Sequence, residues 1–198
     1  MEIARDVFGD SYPLAEQYVD ILASRGVDWG LIGPREVDRL WSRHVLNSLA
    51  IAPLIGTGAT VLDVGSGAGL PGLPLAIHRP DLSITLLEPL LRRANFLTQA
   101  VAELGLDERV SVVRGRAEEY RGRHRVVTAR AVAALPKLLG WCLPLVAPGG
   151  EFLAIKGESA ERELVEVRKV LRKRGLAGEV LTTSVHAGIE PTWVVRIR

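Results

Sequence analysis

The sequence predicts one α/β domain, in which a mainly parallel sheet ends in an antiparallel hairpin and is preceded by a helical cap. Three observations predict it. From Ala59 onward, short β-rich runs (60-TVLDVG-65, 83-SITLLEP-89, 109-RVSVVRG-115, 125-RVVTARA-131 and 151-EFLAIKG-157) alternate with helical patterns near 71–78, 91–104, 133–146 and 159–174. Alternation of this kind means crossover units and parallel strands. The last two runs, 179-EVLTTSV-185 and 192-TWVVRIR-198, are separated only by 186-HAGIEP-191, too short for a helical crossover, so they pair as a hairpin. The first 58 residues instead read as helix. Residues 1–198 are thus expected to be a single domain, with a cap over 1–58 and the core over 59–198.

In the cap, 34-PREVDRLWSRHVLNSLAIAPLI-55 places Val37, Leu40, Trp41, His44, Val45, Ser48, Leu49 and Ala52 on one stripe at helical spacing, with Pro34 in the first turn. An earlier helix is expected from Asp10 or Ser11 as its cap, with Pro13 in the first turn and Leu14, Tyr18, Ile21 and Leu22 inward. His44, on an apolar stripe, reads equally as a packed histidine or a functional one.

The totals exclude several classes. The chain has 198 residues, 47% hydrophobic and 24% charged, which is ordinary globular composition. Its N-terminus lacks an apolar leader pattern, and no stretch approaches the roughly 20 apolar residues that cross a bilayer, so a cytoplasmic chain without a membrane partner is expected. The single cysteine, Cys142, cannot make an internal disulfide and sits in the apolar run Trp141 to Leu145. Net charge is only +2, but residues 109–130 hold Arg109, Arg114, Arg116, Arg121, Arg123, Arg125 and Arg130 against Glu118 and Glu119, a local +5. That segment is either a phosphate-facing patch or a solvated face.

The chemistry begins in 61-VLDVGSGAGLPG-72. Gly65, Gly67 and Gly69 alternate after a buried strand, with Ser66 between the first two. Glycines there let the backbone turn sharply beside a ligand at the carboxyl end of the first strand. The same letters parse as Gly67-x-Gly69-x-x-Gly72, so a dinucleotide is the rival cofactor. Asp63 favours a cationic amino-acid moiety over a pyrophosphate, with a strand-end carboxylate capping nearby amides as the alternative. Glu88, at the end of the second strand, is placed to accept both ribose hydroxyls of an adenosine. With the short chain and the terminal hairpin, these point to S-adenosylmethionine as methyl donor, leaving S-adenosylhomocysteine, with no metal, and to the Rossmann-like methyltransferase fold.

The acceptor is narrowed by elimination. The segment after the fourth strand, 127-VTARAVAALP-136, lacks the Pro-Pro-aromatic pattern used on exocyclic amines, and Cys142 has no neighbouring cation to make a thiolate for attack on a pyrimidine. An aromatic ring nitrogen such as guanine N7 needs alignment and no proton removal. Arg130 and Lys156, each at the carboxyl end of a strand, are the candidate substrate-orienting residues, with surface charge as the alternative. Replacing Arg130 by Ala is expected to cripple activity with little unfolding.

The segments 61-VLDVGSGAGLPGLPLA-76, 41-WSRHVLNSL-49, 128-TARAVA-133 and 155-IKG-157 resemble the glucose-inhibited division protein B family, over nearly the whole chain. The resemblance implies a bacterial guanine-N7 methyltransferase acting on the 530 loop of 16S ribosomal RNA, within the small ribosomal subunit and as a monomer. It also implies cofactor contacts at Gly65, Leu70, Glu88, Ala117, Glu118 and Arg130. Where the family has an acidic residue, this chain has Asn47 in 47-NSL-49, so a charge-based role there is not expected. Arg92, Arg93, Arg121, Arg123 and Lys156 are the expected RNA contacts. The competing functions are a methyltransferase for another RNA, a protein or a small molecule, and a non-catalytic ribosome-binding factor that keeps the cofactor fold.

Overall fold

In the computed structural model, which describes residues 2–198, seven strands form one sheet in the order β3-β2-β1-β4-β5-β7-β6. The strands are β1 (Thr60–Val64), β2 (Ser83–Glu88), β3 (Val110–Arg114), β4 (His124–Arg130), β5 (Val146–Lys156), β6 (Gly178–Thr183) and β7 (Thr192–Ile197). The first five pair in parallel, while β7 is antiparallel to both β5 and β6. Every strand expected from the sequence is present. Strand order reverses between β1 and β4, which places a crevice at their carboxyl ends, where open α/β sheets take ligands.

The helices of the core are α3 (Gly72–His78), α4 (Leu91–Glu103), α5 (Leu135–Cys142) and α6 (Ala160–Lys173). In α6, Ala160, Leu164, Val167 and Leu171 are buried at three- and four-residue spacing, which docks one stripe on the sheet and leaves the charged face in water. Alternate strand residues feed two cores. Val61, Ile84 and Leu86 join α3, α4 and the cap on one face; Leu62, Val64, Leu87, Val127 and Ala129 join α5 and α6 on the other. The connection from β3 to β4, residues 115–123, contains no helix. Among the described residues no helix is long and apolar enough to cross a membrane.

The cap departs from expectation in three ways. A helix α1 (Glu2–Phe8) precedes α2 (Tyr12–Ile21), and Ser11, at the start of α2, makes no side-chain capping bond. The expected continuous helix over 34–55 is a chain of turns: a 3₁₀ segment Pro34–Arg39, a wide π segment Leu40–Leu46, and a second 3₁₀ segment Leu49–Leu54 that contains Pro53. Its apolar stripe is kept all the same, with Leu40, Val45, Ser48, Leu49 and Ala52 buried. The carbonyls at the end of the π segment are tied to the sheet and to the next segment. Arg130 takes those of Arg43 and His44, and the Ser48 hydroxyl also donates to His44 O.

Candidate functional site: two clefts joined at Ala131

The glycine loop follows β1 because each of Gly65, Gly67 and Gly69 takes a left-handed conformation (φ +73°, +58° and +100°) that other residues rarely adopt. The loop is braced from below. Asp63 is fully buried, and its Oδ2 accepts from Gly72 N at 3.0 Å, at the start of α3. Gly72 allows that approach, since a Cβ there would run into Leu86 and the Asp63 carboxylate. Burial pushes the Asp63 carboxyl up to about 7, and its Oδ1 has no hydrogen-bond partner. The Ser66 hydroxyl donates to Asp63 O, and from the cap Tyr18 Oη donates to Ala68 O at 2.9 Å. Asp63 and Ser66 line neither cleft described below, and in this structure their hydrogen bonds shape the loop, as the capping alternative for Asp63 expected. Leu70 likewise packs against the core beneath the loop.

Glu88 closes the other side. Its Oε2 accepts from Gly67 N and its Oε1 from Leu90 N, both at 3.0 Å, so it fixes the glycine loop to the start of α4 while facing a cleft of about 690 Å³. Each carboxylate oxygen retains a second lone pair for a ligand hydroxyl. The cleft is walled by Gly65, Leu90, Arg93, Arg114, Arg116, Glu119, Ala131 and Val132. It continues into an apolar slot between Val64, Leu87, Ala117, Glu118, Val132 and Trp141. Gly65, Glu88, Ala117 and Glu118 therefore lie around one continuous space.

A second, larger cleft of about 970 Å³ lies beyond Ala131, which borders both. It holds Arg39, Arg43, Asn47, Arg130, Lys156 and Glu163. Ala131 is non-glycine with φ +54°, and the next residue, Val132, sits over Gly65 so closely that a Cβ on that glycine would strike it. The segment 131–135 is pinned from β5 and α6. Lys156 Nζ donates to Ala133 O and to Glu163 Oε2, both at 2.8 Å, and Glu163 also accepts from Leu135 N and the Ser159 hydroxyl. Burial alone would raise the Glu163 carboxyl, but these bonds outweigh it and hold it below the usual range.

Arg130 is no surface charge. Nη1 donates to His44 O and Ser48 Oγ, and Nη2 donates to Arg43 O, at 2.6 to 2.8 Å, so the guanidinium ties the cap to the end of β4. These bonds argue against the expectation that its removal would leave folding intact, since Arg43 O and the Ser48 hydroxyl would each lose this donor. Lys156 is likewise no free cation, being ion-paired with Glu163 where both side chains are about nine-tenths buried. Arg92 turns away to Asp28 O and lies over the Trp29 ring, whereas Arg93 lines the first cleft. Arg121 and Arg123 are exposed on the β3–β4 connection, Arg121 donating to Glu118 O. His44 pairs with Glu36 at 2.9 Å. Burial drives the Cys142 thiol up to about 12, so it is no thiolate at neutral pH.

Sequence reasoning missed Ala131, Val132, Glu163, Arg39 and Arg43. A left-handed alanine leaves no mark in the letters, and Glu163 looks like any acidic residue in a first helical turn.

The family model of rRNA small subunit methyltransferase G matches residues 11–189 of this chain. The chain belongs to that family. A protein named ribosomal RNA small subunit methyltransferase G from Streptomyces coelicolor is 57% identical over 190 residues, covering 94% of this chain and 78% of its own. One of the same name from Renibacterium salmoninarum is 54% identical, covering 98% and 92%. Among solved structures, an O-methyltransferase of neocarzinostatin biosynthesis holding S-adenosylmethionine is similar at TM-score 0.62 and 23% identity, over 87% of this chain and 59% of its own. The B. subtilis tRNA methyltransferase TrmK is similar at 0.58 and 19%, over 79% and 65%. These two share the fold with this member of the rRNA small subunit methyltransferase G family.

Proposed function

We propose that the protein transfers a methyl group from S-adenosylmethionine to N7 of a guanine in the 530 loop of 16S ribosomal RNA, acting as a monomer on the small ribosomal subunit. The observation that carries the reading is the adjacency of the apolar slot, the cleft at Glu88 and Gly65, and the second cleft that shares Ala131 with it, in a chain of the rRNA small subunit methyltransferase G family. The choice of the 530 loop and of N7 rests on the resemblance described above.

The residues present fit this cofactor. The slot beside Ala117 and Glu118 suits a planar base, and the spare lone pairs of Glu88 suit ribose hydroxyls. A space of about 690 Å³ lies within the usual range for small-molecule sites. When bound, S-adenosylmethionine supplies an electrophilic methyl on a sulfonium. The chain's own work is positioning. The glycine loop and Glu88 fix one partner, while the Lys156–Glu163 latch sets the height of Ala131 and Val132 between the two clefts.

Arg130, with its bonds used on the cap, acts by holding Arg43 and Asn47 at the second cleft, where RNA would enter. No histidine lines either cleft among the described residues, and a ring nitrogen with a free lone pair needs no base. Turnover should accordingly be nearly flat between about pH 6.5 and 8.5.

The test is transfer of tritiated methyl from S-adenosylmethionine to small subunits from a strain lacking the protein, with wild-type subunits and extracted RNA in parallel. Label on the deficient subunits, cleavable at one guanine after borohydride and aniline, supports reaction, site and atom together. Bound cofactor with no label on any acceptor defeats the reading.

A further inference from the structure

We propose that Arg93, Arg114 and Arg116 form a phosphate clamp at the mouth of the cofactor cleft, gripping the RNA strand beside the nucleotide to be methylated. This rests on the proposed function for the identity of the ligand chemistry. Arg93 stands in the first turn of α4, Arg114 ends the edge strand β3, and Arg116 follows in the helix-free connection to β4. All three line the same cleft and are exposed.

They are unspent, as Arg39 and Arg123 also are among the described residues, but these three stand together around one cleft. Arg92 is bonded to Asp28 O, Arg121 to Glu118 O, Arg125 to Pro148 O, and Arg130 to the cap. Among the described residues, the side chains of Arg93, Arg114 and Arg116 make no hydrogen bond, ion pair or ring contact, and none lies within 4.0 Å of a carboxylate oxygen. Two carboxylates share the lining. Glu88 is engaged by two backbone N–H groups and Glu119 is exposed, so the wall has a formal excess of one positive charge.

The cofactor cannot balance that excess. Its sulfonium and ammonium outnumber its one carboxylate, so at neutral pH it brings a further net positive charge into the cleft. Like charges in one cleft disfavour each other, and an anion lying across the arginines relieves that repulsion. A nucleic-acid strand supplies one phosphate per nucleotide, and guanidinium forks match phosphate oxygens. RNA at the clamp therefore screens the cofactor from the arginines, and the two ligands should bind with positive coupling.

The clamp has a signature of opposite signs. The variant is Arg93→Gln with Arg114→Gln, sparing Arg116 because it also lines the apolar slot. Binding of a 530-loop RNA hairpin is measured by filter retention across a salt series, and S-adenosylmethionine binding by calorimetry at low salt, without RNA. RNA affinity should fall on the order of tenfold, with a log–log salt slope shallower by about 1.4, or roughly 0.7 for each phosphate of single-stranded RNA that is no longer neutralised. Cofactor affinity without RNA should hold or tighten by about threefold. Unchanged RNA affinity and salt slope would overturn the clamp. Cofactor binding weakened as much as RNA binding would also overturn it, assigning the arginines to the cofactor. Because both readouts are equilibria, an unsubstituted chain that binds the hairpin yet transfers no methyl defeats the functional reading and leaves the clamp standing.

Discussion

The two clefts that meet at Ala131 carry the same kinds of charge and use them differently. Around the second cleft, Arg130 and Lys156 are spent on the protein itself, fastening the cap and the segment 131–135. Around the first, Arg93, Arg114 and Arg116 stand unpaired together beside the buried Glu88, where among the described residues the second cleft has Arg39 alone in that state. The difference separates charge that builds a site from charge held ready for a ligand. Residue type does not tell them apart; partners do.

Removing Arg130 should have the largest effect on that contrast. Arg130→Ala removes the guanidinium from Arg43 O, His44 O and the Ser48 hydroxyl, of which His44 O keeps the Ser48 hydroxyl as donor, and the loss of charge-assisted bonds on this scale costs about 3 kcal/mol of stability. Thermal melts should show it together with loss of methyl transfer. A variant as stable as the parent would mean that the cap is held by its apolar contacts alone.

Glu88→Gln comes next, and it acts on the first cleft. One acceptor oxygen becomes a donor facing backbone N–H groups or ribose hydroxyls, so cofactor affinity should fall by roughly 30-fold while the fold survives. Calorimetric titration with S-adenosylmethionine checks this, and unchanged affinity would remove Glu88 from the cofactor site.

Lys156→Met sharpens the distinction between building and binding. It removes the latch on Ala133 and leaves Glu163 without its cation, at a cost of about 2 kcal/mol for a mostly buried pair. If Lys156 acts by positioning, the variant should lower kcat and leave the salt dependence of RNA binding unchanged. A shallower salt slope would instead make Lys156 a phosphate contact.

The last effect is in pH. Asp63 has a folded pKa near 7, raised from the ordinary 3.8. The folded state therefore holds this proton more tightly than the unfolded chain does, and stability from this group falls as pH rises from about 4 to 7. Glu163, held below its ordinary value, works in the opposite sense: its stabilisation is present above the unfolded value and is lost as pH falls through the folded one. Asp63→Asn keeps an acceptor for Gly72 N–H and should flatten the decline between pH 4 and 7. Denaturant melts at pH 5 and pH 7 measure it, and an unchanged slope would show that Asp63 stays ionised.

Much of this was legible in the letters. All seven strands and the helices of the core follow from period and punctuation, since strands buried on both faces read as apolar runs and helical faces repeat every three to four residues. The glycine loop and Glu88 were legible because backbone conformation and strand ends constrain residue type locally. The cap was read less well: it follows the apolar stripe but not as one α-helix, and its tie to Arg130, more than 80 residues away, has no local mark in the letters.

Sequence by itself determined the order of elements, the position of the glycine loop at the carboxyl end of the first strand, and the pool of arginines between 109 and 130. Tertiary structure alone decided that Asp63 is buried beneath the loop, that Arg130 fastens the cap, that Glu163 meets Lys156, and which arginines remain unpaired. The physical reason is range. Backbone preference and hydrophobic period act over a few residues and are written in their order, whereas the partner of a charge is set by which strand ends and loops the completed sheet brings together.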